Sequence, residues 1–303
     1  MVNDRKCLTI KMVIGIVAVL GICMGIKLVE SKEEYRNKKV IVCLKKGGEF
    51  GEKYSADSIL EINNIQRFYD YSGEKKTCLY SDYDGKIIEK NIITNLSREI
   101  TFKNAGGNAD KKQEELINNL KYMPDGQKVS FMSGDYFYIY DYEGDKVIER
   151  RKCLPDSWIE YQWQGAHKLY FIPRDEKWIR NLYMCENPYE SPVYITKGIK
   201  SIVPGSGGEK IYGILDTVES YYGSGFETKH EIVEIDVGTG EKRFLKELNS
   251  ENFILENADD EFLFYVEKFP DRKCSKVYGI NLKNRQAECI YETYDSVIGI
   301  IIR

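Results

Sequence analysis

Two histidines, His167 and His230, are all that this 303-residue chain offers to zinc sites and to Ser/His or Cys/His nucleophilic arrangements, in which histidine is the commonest member. Neither has a partner histidine or a carboxylate in register, so both read as edge or surface residues. Asp82, Asp84 and Gly85 imitate part of a calcium loop, but Tyr80 stands where the first ligand belongs and Asn91 where the bidentate glutamate belongs. Turn chemistry accounts for them. Gly205-Ser206-Gly207-Gly208-Glu209-Lys210 has the glycines of a phosphate loop without the Walker spacing, and a strand pattern follows where a helix N-terminus is needed. It reads as a turn between strands. No catalytic set, cofactor site or metal site follows from these residues. What remains is carboxylate chemistry, in which two acids on the order of 5 to 10 Å apart act as acid and base on a glycan; spacing along the chain does not select such a pair.

Residues suited to binding are easier to name. Ser220-Tyr221-Tyr222-Gly223-Ser224-Gly225-Phe226 mixes three aromatics with glycine and serine, the composition of adaptable contact loops; the alternative is a tip whose aromatics fold back onto the body. Trp158, Trp163 and Trp178 fall within about twenty residues of each other. Stacking on a sugar or peptide is one role for them, and packing between sheets is the commoner one. The candidate contact residues are Tyr221, Tyr222, Phe226 and Trp178. Cys43, Cys78, Cys153, Cys185, Cys274 and Cys289 form an even set that permits disulfides, with buried thiols as the alternative; no C-x-x-C occurs. Asn95-Leu96-Ser97 matches a glycosylation acceptor, which matters only in a eukaryotic secretory route.

Composition narrows the class. With 42% hydrophobic and 30% charged residues the chain is globular, and 44 basic against 48 acidic side chains remove the basic footprint of a nucleic-acid binder. At the N-terminus Arg5, Lys6 and Lys11 precede the uncharged run Met12 to Ile26, closed by Lys27. Fifteen uncharged residues are short of a span, but snorkelling of Lys11 and Lys27 extends the usable stretch to residues 8–29. Small residues of a cleavage site are poorly represented, and Ile22 before Cys23 spoils a lipoprotein box. The expectation is an uncleaved signal-anchor: residues 1–7 cytoplasmic, 8–29 a transmembrane helix, 30–38 a juxtamembrane linker, and 39–303 an extracytoplasmic domain, oriented by the basic residues before the segment and Glu30, Glu33 and Glu34 after it. Gly21 and Gly25 form one G-x-x-x-G, a weak association signal.

The elements that must position these residues are strands. From residue 39 onward short Val-, Ile-, Tyr- and Phe-rich runs alternate with Gly, Asp and Asn turns. Five hairpins superpose: 79–90, 137–150, 182–196, 232–244 and 277–291, each preceded by one more alternating strand at 66–69, 128–131, 168–171, 210–213 and 261–264. The later intervals are 40, 42 and 51 residues, the period of propeller blades. Pro124-Asp125-Gly126-Gln127-Lys128-Val129-Ser130-Phe131 with the hairpin that follows resembles the TolB-like and WD40-like β-propeller families in repeat grammar, although no Trp-Asp dipeptide occurs. The resemblance implies an all-β propeller of five to six four-stranded blades and a platform for binding, with no residue role carried over. Two leftover fragments, 39–44 and 296–302, are expected to pair and hide the edges of the ring. The stretch 108–123 is expected to contain a short helix capped by Asn108 or Asp110, with Leu116, Ile117 and Leu120 on one side.

If the strands of a blade are lettered a to d from the axis outward, the a–b and c–d turns are short. The insertions at 104–119, 173–178, 217–229 and 269–274 all belong to b–c or d–a connections, so they crowd one face, the expected side for a protein or peptide partner. The expected function is therefore a membrane-anchored binding or scaffolding module. An envelope lyase or glycan hydrolase using channel carboxylates is the alternative, and a sensor coupled through the anchor helix is a third reading.

Overall fold

Successive side chains of a strand point to opposite faces, so a continuous apolar run gives a sheet two apolar faces, and a sheet of that kind must be covered on both sides. The computed structural model describes residues 38–45, 54–62, 65–102, 117–153, 158–165, 167–173, 180–186, 190–222, 225–294 and 296–302; for 38–45, 54–61 and 217–228 it describes the backbone path. These residues form five four-stranded antiparallel sheets. Blade 1 is β3 (Ile65–Ser72), β4 (Thr77–Asp82), β5 (Ile87–Asn91) and β6 (Ser97–Ile100). Blade 2 is β7 (Asn118–Tyr122), β8 (Val129–Ser133), β9 (Tyr136–Asp141) and β10 (Lys146–Lys152). Blade 3 is β11 (Trp158–Gln164), β12 (Lys168–Pro173), β13 (Asn181–Cys185) and β14 (Val193–Lys197). Blade 4 is β15 (Ile199–Pro204), β16 (Lys210–Tyr222), β17 (Gly225–Asp236) and β18 (Lys242–Glu247), and blade 5 is β19 (Asn252–Ala258), β20 (Phe262–Phe269), β21 (Cys274–Asn281) and β22 (Ala287–Thr293).

A sixth sheet has three strands from both ends of the chain: β23 (Ser296–Ile302), then β1 (Lys38–Lys45), then β2 (Tyr54–Glu61). Both leftover fragments therefore meet, as β1 and β23, and they run parallel, with Lys38 opposite Ser296 and Val42 opposite Ile301. Among the described residues the propeller has five four-stranded blades and a three-stranded closing sheet. The inner strands β3, β7, β11, β15, β19 and β23 contact one another in sequence around the axis, and β23 touches β3.

Alternation is visible in which blade each residue faces. On β9, Tyr138 and Tyr140 pack toward blade 1, whereas Phe137 and Ile139 pack toward blade 3. On β12, Leu169 and Phe171 face blade 2 while Tyr170 and Ile172 face blade 4. On β20, Leu263 and Tyr265 face blade 4 while Phe262, Phe264 and Val266 join Val297 and Ile300 of the closing sheet. Ile301 turns the other way, onto Ile65, Cys78 and Tyr80 of blade 1. Six apolar clusters thus fill six blade interfaces, and a fully buried aromatic side chain contributes about 1.5–3 kcal/mol through burial.

Two expectations are corrected here. Residues 118–122 are strand β7, not the end of a helix, because Ile117, Leu120 and Tyr122 are needed in the core between blades 1 and 2; the rest of that expected helix lies outside the described residues. The hairpin 79–90 joins strands b and c of blade 1, whereas the other four join c and d, so the first repeat is out of phase by one strand. The anchor segment 8–29 also lies outside the described residues, among which no helix is long and apolar enough to cross a membrane.

Candidate functional site

The inner strands carry a belt of charge around the axis. Asp70 on β3 accepts the Tyr122 N–H at 2.8 Å, Glu160 on β11 accepts the Ile202 N–H and the Ser201 hydroxyl at 3.1 Å each, and Glu256 on β19 accepts the Ile300 N–H at 3.3 Å. Each carboxylate therefore ties an odd-numbered blade to the inner strand that follows. The residues preceding the three N–H donors are Lys121, Ser201 and Gly299. A Cβ on Gly299 would lie 2.6 Å from the Phe68 ring of blade 1, so the seam requires glycine there.

Enclosure by protein raises all three carboxyls above their ordinary range. For Asp70 the burial is opposed by Lys121 and by the Tyr122 and Tyr71 N–H groups; for Glu160 it is opposed by the Ile202 N–H, Lys121, Ser201 and Gln162. Glu256 is pushed up to about 7 by burial, with the Asp70 charge adding to the rise and the Ile300 N–H, Lys121 and Lys268 resisting it. Burial lowers Lys268 in turn, against the pull of Glu256. A cavity of about 290 Å³ opens over this belt, lined among others by Asp70, Lys121, Gln162, Trp163 and Glu256. Among the described residues no three of His, Cys, Asp and Glu come together closely enough to hold a metal ion. The belt can hold polar or cationic groups, and Glu256 is poised to exchange a proton near neutrality.

The opposite face carries the insertions, as the strand order requires. Residues 269–274 contain the 3-10 turn Pro270–Arg272 between β20 and β21; of the insertions at 104–119 and 173–178, residues 104–116 and 174–178 lie outside the described residues. The stretch 217–229 is not a loop. β16 and β17 continue past their neighbours, and after Leu215 and before Glu231 they pair only with each other, as far as Tyr222 opposite Gly225. Tyr221, Tyr222 and Phe226 are thus at the end of a two-stranded ribbon; their side chains, and all of Trp178, lie outside what the structure describes.

The base of the ribbon holds the feature that spacing alone did not reveal. His230 lies directly across the ladder from Asp216, with Nδ1 2.7 Å from a carboxylate oxygen. Its ring rests 4.9 Å from that of Phe253 in blade 5, and Lys200 Nζ sits 4.8 Å from the same ring and 3.8 Å from Asp216. The signal was available only as a register, and the irregular pairing between Glu219 and Tyr222 displaces that register by one residue from simple symmetry about the turn.

Other candidates take structural roles. Asp82 caps its own turn by accepting the Asp84 and Lys86 N–H groups, and 205–209 is the a–b turn of blade 4. Trp158 stacks on Phe171 of its own blade at 4.3 Å and lies 5.2 Å from Phe137 of blade 2, and Trp163 donates to Ser130 at 2.8 Å, so both tryptophans pack blade 3 on blade 2. The five described cysteines outside β1 are free; burial pushes Cys78 and Cys153 up to about 12, which keeps them as inert thiols.

No family model matches the chain. No curated protein matches it. Solved structures do share its fold: a putative TolB from Agrobacterium tumefaciens (TM-score 0.58, 12% identity, 78% of this chain and 84% of that one), TolB from Acinetobacter baumannii (0.56, 14%, 84% and 63%) and a chain of a nidogen/laminin complex (0.53, 8%, 75% and 80%). The chain spans less than two thirds of the Acinetobacter protein. At these identities the likeness is one of architecture alone, and the architecture shared with the TolB structures is the β-propeller.

Proposed function

We propose that the protein is a membrane-anchored, extracytoplasmic propeller that binds or scaffolds a protein or peptide on its insertion face, with residues 8–29 as the anchor. The observation that carries this reading is the β16–β17 ribbon: beyond Asp216 and before His230, whose carbonyl accepts the Leu248 N–H at 2.9 Å, the two strands form ladder pairs only with each other. Its outer edges present backbone donors and acceptors, the template that strand addition uses. Replacing residues 217–229 by an Asn-Gly turn is expected to abolish recovery of the partner that the tagged full-length chain captures from solubilised membranes, while leaving thermal stability within a few degrees. Equal recovery with the trimmed chain overturns the reading.

Glu256 favours a second reading, an envelope lyase or glycan hydrolase with Glu256 as the acid. It requires that the purified chain cleave an envelope polysaccharide and that Glu256→Gln lose that cleavage by at least a hundredfold.

A further inference from the structure

The direction of β1 fixes which face looks at the membrane. Inner strands begin at the d–a side and end at the a–b side, so β23 begins at Ser296 on the insertion face; β1 is parallel to it, with Lys38 opposite Ser296. The chain therefore enters the propeller on the insertion face. Only residues 30–37, eight in number, separate that point from the proposed membrane span. Fully extended they reach at most about 29 Å, and relaxed they span roughly 16 Å.

The ribbon measures against this tether. From Asp216 to Tyr222 it runs seven residues beyond the last pair shared with β15, about 23 Å at the usual strand rise. A relaxed tether is shorter than the ribbon, so a ribbon running straight out reaches the headgroups before the tether is taut. Between Glu219 and Glu227 the seven residues Ser220 to Phe226 carry no charge and include three aromatics, a composition suited to the headgroup level of a bilayer.

Resting on the tether proposed above, we infer that the end of the β16–β17 ribbon, with Tyr221, Tyr222 and Phe226, docks on the lipid surface. The ribbon is a second foot beside the anchor. It holds the propeller off the bilayer, leaves the ribbon edges and the other insertions free for a partner in the gap, and turns the cavity over Asp70, Lys121 and Glu256 away from the membrane. Past residue 30 the chain has 40 basic and 46 acidic side chains, so aromatic partition rather than attraction to anionic lipid drives the contact.

The test uses the full chain in phosphatidylcholine vesicles. Tyr222→Trp is compared with wild type and with Lys283→Trp, on an exposed c–d turn of the opposite face, for quenching by lipids brominated near the glycerol end of the acyl chain. Tyr222→Trp is expected to add a quenchable component, about half of the new emission, that 0.5 M salt does not remove; Lys283→Trp adds none. Alkaline extraction is run on the same samples. Release of the chain by alkali overturns the anchor and this inference together. Retention of the chain with no added quenching in the Tyr222→Trp variant overturns the ribbon contact alone.

Discussion

Glu256 is a carboxyl held where its charge is costly. Its proton is retained to about pH 7 in the folded protein and released near pH 4.5 in the unfolded chain, so the folded state loses stability as pH rises between those values and stays penalised above them. The difference is on the order of 3 kcal/mol at most. Glu256→Gln keeps an oxygen for the Ile300 N–H and cannot ionise. Urea unfolding of the full chain in mild detergent is expected to find the variant more stable than wild type by on the order of 2 kcal/mol at pH 8, with the gap closing near pH 4. A pH-independent gap removes the assignment. Asp70 and Glu160 are raised for the same reason, so the variant retains a shallower slope of the same sign. That three acids 90 and 96 residues apart along the chain share one belt was not legible in the sequence. Each lies in a strand whose alternation looks ordinary, and only closure of the ring brings their strands together.

At the scale of elements the ribbon is exposed to local opening, because beyond Asp216 and His230 no third strand pairs with it. The Asp216–His230 contact and the Phe253 ring clamp its base to blade 5. His230→Ala removes both, at a cost of about 1–2 kcal/mol. Hydrogen exchange should speed roughly tenfold for amides 217–229 and stay unchanged for 211–214, whose Ile211 and Ile214 are fully buried. Equal acceleration in both segments would show that the clamp stabilises the whole blade instead. The elements also show what sequence patterning could and could not deliver. Strand identity and the turns at 124–126 and 238–240 were readable, because alternation and turn residues are local properties. The phase of blade 1 was not, since every strand in a blade carries the same alternation and nothing local distinguishes an a–b–c run from b–c–d. Nor was β7: Leu116, Ile117 and Leu120 suit a helical face, and the competing demand of the core between blades 1 and 2 decides for a strand, with Asn119 at φ 52° accommodating the irregular pairing.

A ring of sheets has one interface of a different kind. Blades 1 to 5 follow each other along the chain, so each of their contacts is also held by a direct covalent connection, whereas β1 and β23 lie at opposite ends of the polypeptide and meet through backbone hydrogen bonds. The seam bears the closure of the molecule, with Val297 and Ile300 of β23 gripping blade 5 and Ile301 gripping blade 1. β1 is the central strand of its sheet, with β2 on one side and β23 on the other, and a proline there removes a ladder hydrogen bond and clashes with its neighbours at a cost of about 3 kcal/mol or more. Val42→Pro, opposite Ser58 and Ile301, is therefore expected to lower the Tm by about 10 °C for a domain of this size and to make the segment before Ile62 the first point of protease attack. Val193→Pro, at the first residue of the outer strand β14 and exposed, should shift the Tm by no more than a few degrees. If the two prolines cost the same, the parallel seam is not what closes the ring, and the stability of the propeller must reside in the five covalently linked blades alone.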